Sequence, residues 1–313
     1  MIRHPVNPAV PVETRSLRIV HLSDIHLWRY TINPLRYLSK RAAGMASLLL
    51  GRASRFRLER IPELVAHVQK LRADHILITG DLTTTALPDE FRAARAALAD
   101  WLGDPARVTI IPGNHDRYTL YAQHSRRFER YFGDFSPQRP YPWLRRLDAD
   151  TAILGLDPTR SGISASGKLP RKQLAAARTI LSNAGPIARL LIACHYPLAV
   201  PLRFEREYAH KPLVNRAGLT EWLRAIGPHI FCCGHVHAAW AYQPDLVPGQ
   251  LCLNAGAPLL RDKSGLRPPG FLEVTLDRRT VIVDHHAWTG DAWDVRRLFE
   301  ARDFFDQEPT AAD

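Results

Sequence analysis

The apolar run Val108-Thr109-Ile110-Ile111 ends in a Pro and then in Gly113-Asn114-His115-Asp116. Such a run reads as a buried strand entering a tight loop. Loops at the carboxyl ends of strands are where open α/β sheets present their chemistry. The arrangement returns four times: Asp24-Ile25-His26 follows Leu17–Leu22, Gly80-Asp81 follows His75–Thr79, His195 follows Leu190–Cys194, and Gly234-His235-Val236-His237 follows His229–Cys233. Any one of these residues, taken singly, reads as well as a satisfied core residue. Five apolar runs ending in carboxylate, amide or imidazole constrain the chain to a fold that gathers those strand ends on one rim.

Spacing decides what such a rim can do. In Asp24-x-His26 and His235-x-His237 the paired residues are two apart, which in extended backbone puts both side chains on one side. Asp81, Asn114 and His195 each stand directly after an expected strand. Seven oxygen and nitrogen ligands exceed what one tetrahedral ion takes, so two ions sharing a bridging carboxylate are expected. Carboxylate, amide and imidazole ligands suit Mn, Fe, Zn, Co or Ni rather than a soft thiolate site. Paired ions about 3.5–4 Å apart would clamp the attacking and leaving oxygens of a phosphoryl group and make hydroxide from water near neutral pH. His115, beside Asn114, is then placed to protonate the leaving alkoxide or steady the transition state. Asp116 is expected to orient its imidazole.

The first half of the chain alternates strand and helix, with helices expected over Ile61–Leu71, roughly 89–102 and Thr119–Phe132. That pattern predicts an α/β fold with a mostly parallel sheet and crossover helices. Further strands are expected at Thr151–Leu156, Leu251–Leu253, Phe271–Leu276 and Thr280–Asp284, and helices at Pro170–Leu181 and Thr220–Ile226. Residues 134–150 read as loop around Trp143, and 301–313 as a frayed acidic end. With no internal repeat or composition break, residues 17–300 are expected to form a single domain between the 1–16 tail and the C-terminal tail.

Residues 29–58 stand apart. Asn33-Pro34 is a good helix start, and Leu35, Leu38, Ala42, Met45 and Leu49 then recur at steps of three and four until Gly51. No acidic residue lies between Asp24 and Glu59. One reading is a packing helix with a solvated basic face. The other is a basic lid or interfacial helix, with Arg36, Lys40 and Arg41 gathering a phosphorylated, lipid-linked substrate at an acidic membrane face. His210, with Arg203, Arg206 and Lys211 in the loop after His195, is a further candidate for substrate contact, against the plainer reading of a solvated charge run.

Lys and Arg number 42 against 31 acidic residues, a net charge of +11, so the surface favours anionic partners. Phosphate, nucleic acid and an acidic membrane are all compatible with that charge. The four cysteines form no C-x-x-C pair and lie in apolar runs, which argues for packed thiols and a reducing compartment. No run approaches the roughly 18 apolar residues of a spanning helix, and the N-terminus lacks a signal-peptide core. A cytoplasmic protein is expected, peripheral at the inner membrane face if the insert is interfacial. Gly162 to Lys168 has phosphate-loop spacing, but Leu169 and Pro170 replace the hydroxyl residue that would hold magnesium.

Together Asp24-x-His26, Gly80-Asp81, Gly113-Asn114-His115-Asp116, His195 and Gly234-His235-x-His237 resemble the complete signature of the calcineurin-like metallophosphoesterases, over roughly residues 17–290. The resemblance implies a four-layer α/β/β/α sandwich with two mixed sheets. It also implies that Asp24, His26 and His237 bind one ion, that Asp81 bridges, that Asn114, His195 and His235 bind the second, and that His115 serves the leaving group. The order of the blocks and the single acidic residue after Gly80 look most like the bacterial cyclic-nucleotide phosphodiesterase branch. Bacterial relatives that cleave the pyrophosphate of a UDP-linked acylated sugar share these ligands, and a basic, apolar insert would suit such a substrate. A small-molecule phosphodiesterase is therefore the first expectation, a lipid-linked nucleotide pyrophosphatase the second, and a nuclease the third, since no recognition domain is evident. A scaffold without metals is set aside because none of the seven ligands is missing.

Overall fold

The computed structural model describes residues 16–29, 42, 53–162, 164–262 and 264–307. Among these, twelve strands make two six-stranded sheets. The first sheet runs β12 (Trp293–Arg302), β11 (Thr280–Trp288), β10 (Gly270–Leu276), β1 (Leu17–Leu22), β2 (His75–Ile78) and β3 (Val108–Ile110). β1, β2 and β3 are parallel, whereas β10, β11 and β12 are antiparallel additions. The second sheet runs β4 (Trp143–Arg146), β5 (Thr151–Leu156), β6 (Arg189–Cys194), β7 (His229–Cys233), β9 (Gln250–Ala255) and β8 (Ala239–Tyr242), parallel except for its two edges.

Successive residues of a strand point to opposite faces, and in the central strands of each sheet both faces are buried. Ile19, Leu77, Leu272 and Val274 of the first sheet meet Ile153, Leu191, Ile230 and Leu251 of the second in one apolar seam. On the outer face of the first sheet, Val20, Leu22, Ile78 and Val108 pack under the helices at Ile61–Leu71 and Pro88–Ala97, through Leu64, Val68 and Phe91. On the far side Leu154, Ile192 and Phe231 pack under Ala177, Leu219 and Leu223 of the helices at Arg171–Asn183 and Ala217–Ala225. The result is the expected α/β/β/α sandwich. All four cysteines are buried free thiols, as expected.

Three local expectations are corrected. The 134–150 region is not all loop: Trp143–Arg146 is an edge strand in antiparallel register with β5, Trp143 opposite Gly155. A Cβ on Gly155 would sit 2.3 Å from the Trp143 ring, so only glycine lets the indole lie flat on β5. The helix expected over Thr119–Phe132 is two, Leu120–His124 and Arg127–Phe132, broken where Arg126 takes φ 49°. The end of the chain is not frayed from 301, because β12 runs to Arg302 and Phe304 is buried in the seam. β8 and β12 also escape the sequence pattern: β8 has only four residues, and β12 is a mostly exposed, charged edge. The helix expected over 33–51, with Arg36, Lys40 and Arg41, lies outside the described residues. No helix among the described residues is long and apolar enough to cross a membrane.

Candidate metal centre

Each of the five blocks leaves the carboxyl end of a parallel strand, at the rim where the two sheets meet. Five of the residues they carry, Asp24, His26, Asp81, His235 and His237, have φ between 51° and 72°, the left-handed region. Each non-glycine residue held there costs on the order of 1 kcal/mol or more, and such strain clusters at functional sites. The surrounding backbone holds it: Asp24 N–H donates to the Gly80 carbonyl at 3.0 Å, His26 N–H to Asp81 at 2.9 Å and Gly234 N–H to His195 at 3.0 Å. The glycines of the blocks are spacers. A Cβ on Gly113 would fall 2.1 Å from the Asp81 carboxylate, and one on Gly234 would fall 1.8 Å from Ser23 Oγ and 2.5 Å from Asp24 Oδ2.

Asp24, His26, Asp81 and His237 offer ligand atoms that all lie within 4.8 Å of one another. His26 Nε2 and His237 Nε2 face each other at 3.0 Å. Asp24 Oδ1 stands 3.6 Å from the first and 3.3 Å from the second. Its other oxygen accepts the His235 amide at 2.9 Å, a clasp from one sheet to the other. Asp24 Oδ1 is buried with no hydrogen-bond partner among the described residues. An orphaned carboxylate oxygen amid imidazole nitrogens is what a cation site needs and a packed core does not.

Asp81 joins this group to a second one. Its Oδ2 lies 3.6 Å from His26 Nε2 and 3.4 Å from His195 Nε2. His195 Nε2 in turn is 3.2 Å from Asn114 Oδ1, and the His195 and His235 rings are 5.1 Å apart edge to face. Carbonyl oxygens set the tautomers, since they can only accept. His195 Nδ1–H donates to Thr79 at 2.7 Å, which leaves Nε2 facing Asp81 as the position that takes either a proton or a cation. His235 Nε2–H donates to the Lys211 carbonyl at 2.9 Å, which leaves Nδ1 for a cation. Partners of this kind fix and sharpen metal-binding imidazoles.

The electrostatics agree. Burial alone would raise Asp24 and Asp81, but the imidazoles beside them hold both carboxyls well below the usual range. Burial would lower His195, yet Asp81 raises it to about 9. A field that holds a proton so firmly would hold a divalent cation in its place. Asp24, His26, Asp81 and His237 could thus hold one ion, and Asp81, Asn114, His195 and His235 another.

His115 sits at the mouth, half-buried, its ring 4.8 Å from His26 and stacked on Tyr118. Its amide donates to Asp81 at 2.7 Å. Its Nδ1–H donates to the Thr84 carbonyl at 2.7 Å, so Thr84 turns the ring, not Asp116 as expected. Asp116 is instead the staple of its loop, its carboxylate accepting from Leu82 and Gly113 amides and from the Thr83 amide and hydroxyl. Burial, with Asp81 nearby, pushes its carboxyl up to about 6. Phe56, which the sequence did not single out, packs 4.7 Å from the His26 ring and 5.9 Å from His237, and walls that side of the site. His210 is exposed, next to Lys211, on the turn after the helix Leu202–Tyr208.

A family model described as calcineurin-like phosphoesterase matches residues 17–239. The chain is a calcineurin-like phosphoesterase. As a member of that family it is a metallophosphoesterase, a hydrolase acting on phosphoric esters. Among solved structures it is similar to a dimetal phosphatase from Danio rerio, 14% identical with a TM-score of 0.56, covering 90% of this chain and 99% of that one. It is also similar to the purple acid phosphatase PPD1 from yellow lupin (Lupinus luteus) seeds, 14% identical with a TM-score of 0.59, covering 97% of this chain and 58% of that one. At this identity the two show a shared fold. A sequence search of curated proteins finds no match.

Proposed function

We propose that this phosphoesterase cleaves a phosphodiester or pyrophosphate bond with two divalent cations bound at the described rim. The observation that carries the reading is Asp81, whose Oδ2 stands 3.6 Å from a nitrogen of one ligand group and 3.4 Å from a nitrogen of the other. Asp24, His26 and His237 would hold one cation, Asn114, His195 and His235 the second, and Asp81 both. Bound there, the cations would polarise the phosphoryl group and acidify water. The chain's own residues do the rest. His115, whose Nδ1–H is held by the Thr84 carbonyl, turns Nε2 to the substrate; protonated there from solvent, the imidazolium gives that proton to the leaving oxygen and returns to the neutral ring. Phe56 keeps water from the His26 side, and Asp116 keeps the Asn114–His115 loop in register with Asp81.

A small-molecule substrate is the first reading. The deciding experiment supplies manganese and compares bis-p-nitrophenyl phosphate, p-nitrophenyl phosphate, a cyclic nucleotide, a detergent-dispersed UDP-linked acyl sugar and single-stranded DNA. The expected result is turnover of the diester or of the pyrophosphate, lost with EDTA. Turnover of the monoester alone would overturn the reading.

A further inference from the structure

The ligand His235 is gripped by one residue from two directions. The Lys211 carbonyl accepts its Nε2–H at 2.9 Å, and the Lys211 ammonium donates to its main-chain carbonyl at 3.2 Å. The ammonium also pairs with Glu207 Oε1 at 2.9 Å. Glu207 Oε2 is taken by the guanidinium of Arg267, which also lies over Phe204 at 5.6 Å. Two cations therefore share one carboxylate beside the ligands of the second ion. Asp262, the nearest other acid on that loop, is spent on the Ser264 amide and hydroxyl and the Arg267 amide. The Lys211 and Arg267 side chains are 22% and 30% exposed, fixed by their partners yet open to a ligand.

A lysine needed only to balance Glu207 would not require an arginine on the same carboxylate. We propose that Lys211 and Arg267, joined through Glu207, recognise a second anionic group of the substrate, the phosphate adjoining the scissile one. The substrate class is then a pyrophosphate-linked compound such as a nucleoside diphosphate ester. This deepens the diester-or-pyrophosphate reading above and rests on it for the position of the scissile group.

The test is calorimetric binding of inorganic pyrophosphate and of methyl phosphate to the full chain, with manganese matched in cell and syringe. Wild type should prefer pyrophosphate. R267M should weaken pyrophosphate about tenfold or more while methyl phosphate moves about twofold or less, since charge-assisted hydrogen bonds to the extra phosphate are what it loses. R267K should recover part of the loss. E207Q removes the shared negative charge and should tighten pyrophosphate. Because E207Q predicts a gain, a variant that merely unfolds cannot imitate it. Equal loss for both ligands in R267M, or weaker pyrophosphate binding in E207Q, would overturn the proposal. Turnover is read separately: binding as expected with no diester or pyrophosphate hydrolysed would sink the proposed function and leave the recognition standing.

Discussion

The Thr84 carbonyl turns the His115 imidazole, while the neighbouring Asp116 carboxylate is consumed by four donors, three from Leu82 and Thr83 of the loop after β2 and one from Gly113 of its own. The two should fail differently. His115→Ala should lower kcat by about 10²–10⁴ with the metal content unchanged in elemental analysis, and more steeply for poorer leaving groups. Asp116→Asn turns an amide N–H toward the Leu82 and Gly113 or Thr83 donors, and should cost about 1–3 kcal/mol in urea unfolding. If Asp116→Asn lost catalysis as His115→Ala does with stability intact, the imidazole would be under Asp116's control after all. The contrast shows what could be read at this scale. Asp24, His26, Asp81, Asn114, His195, His235 and His237 announce themselves because their side chains are the chemistry. The carbonyls of Thr79, Thr84 and Lys211 orient those imidazoles, yet any residue type supplies a carbonyl, so no letter of the sequence marks them.

At the scale of the elements, the strands missed are those without an apolar signature. β12 pairs along its length with β11 but exposes most of its side chains, and its charges protect an open edge. β4 is recognisable only once Gly155 is seen to make room for Trp143. Conversely, β1, β5, β6 and β7 were legible as apolar runs, but being buried on both faces they lack the alternation that would have divided them between two sheets. The chain past β12 is structural: Phe304 lies 1% exposed against the inner faces of both sheets. Phe304→Ala should therefore cost about 3–5 kcal/mol in chemical denaturation. A cost near zero would return this segment to the frayed end expected from sequence.

For the molecule as a whole, each sheet contains a histidine that folds neutral. Burial lowers His75 from 6.5 to about 3, where its Nε2 meets Thr109 Oγ1 at 2.8 Å between β2 and β3. Burial lowers His229 to about 4, where it bonds Gly227 and Gln250 at the start of β7. Both native pKa values lie below the unfolded one, so below pH 6.5 the unfolded chain binds more protons than the native one. Their contribution to stability is complete above pH 6.5 and is lost as pH falls toward 4 and 3, on the order of 3 kcal/mol each. Unfolding free energies measured between pH 7 and 4 should fall with that slope, and His75→Gln and His229→Asn should each flatten it. Unchanged slopes would mean that these imidazoles are protonated in the fold. One further consequence follows from the Asp24–His235 clasp, which joins a carboxylate of one sheet to an amide of the other at the rim. The distance between the Asp24 and His235 ligand groups is set by how far apart the oily faces of the sandwich stand, so the seam works as a calliper. Trimming a methyl group deep within it would detune the reaction well before it loosened the fold.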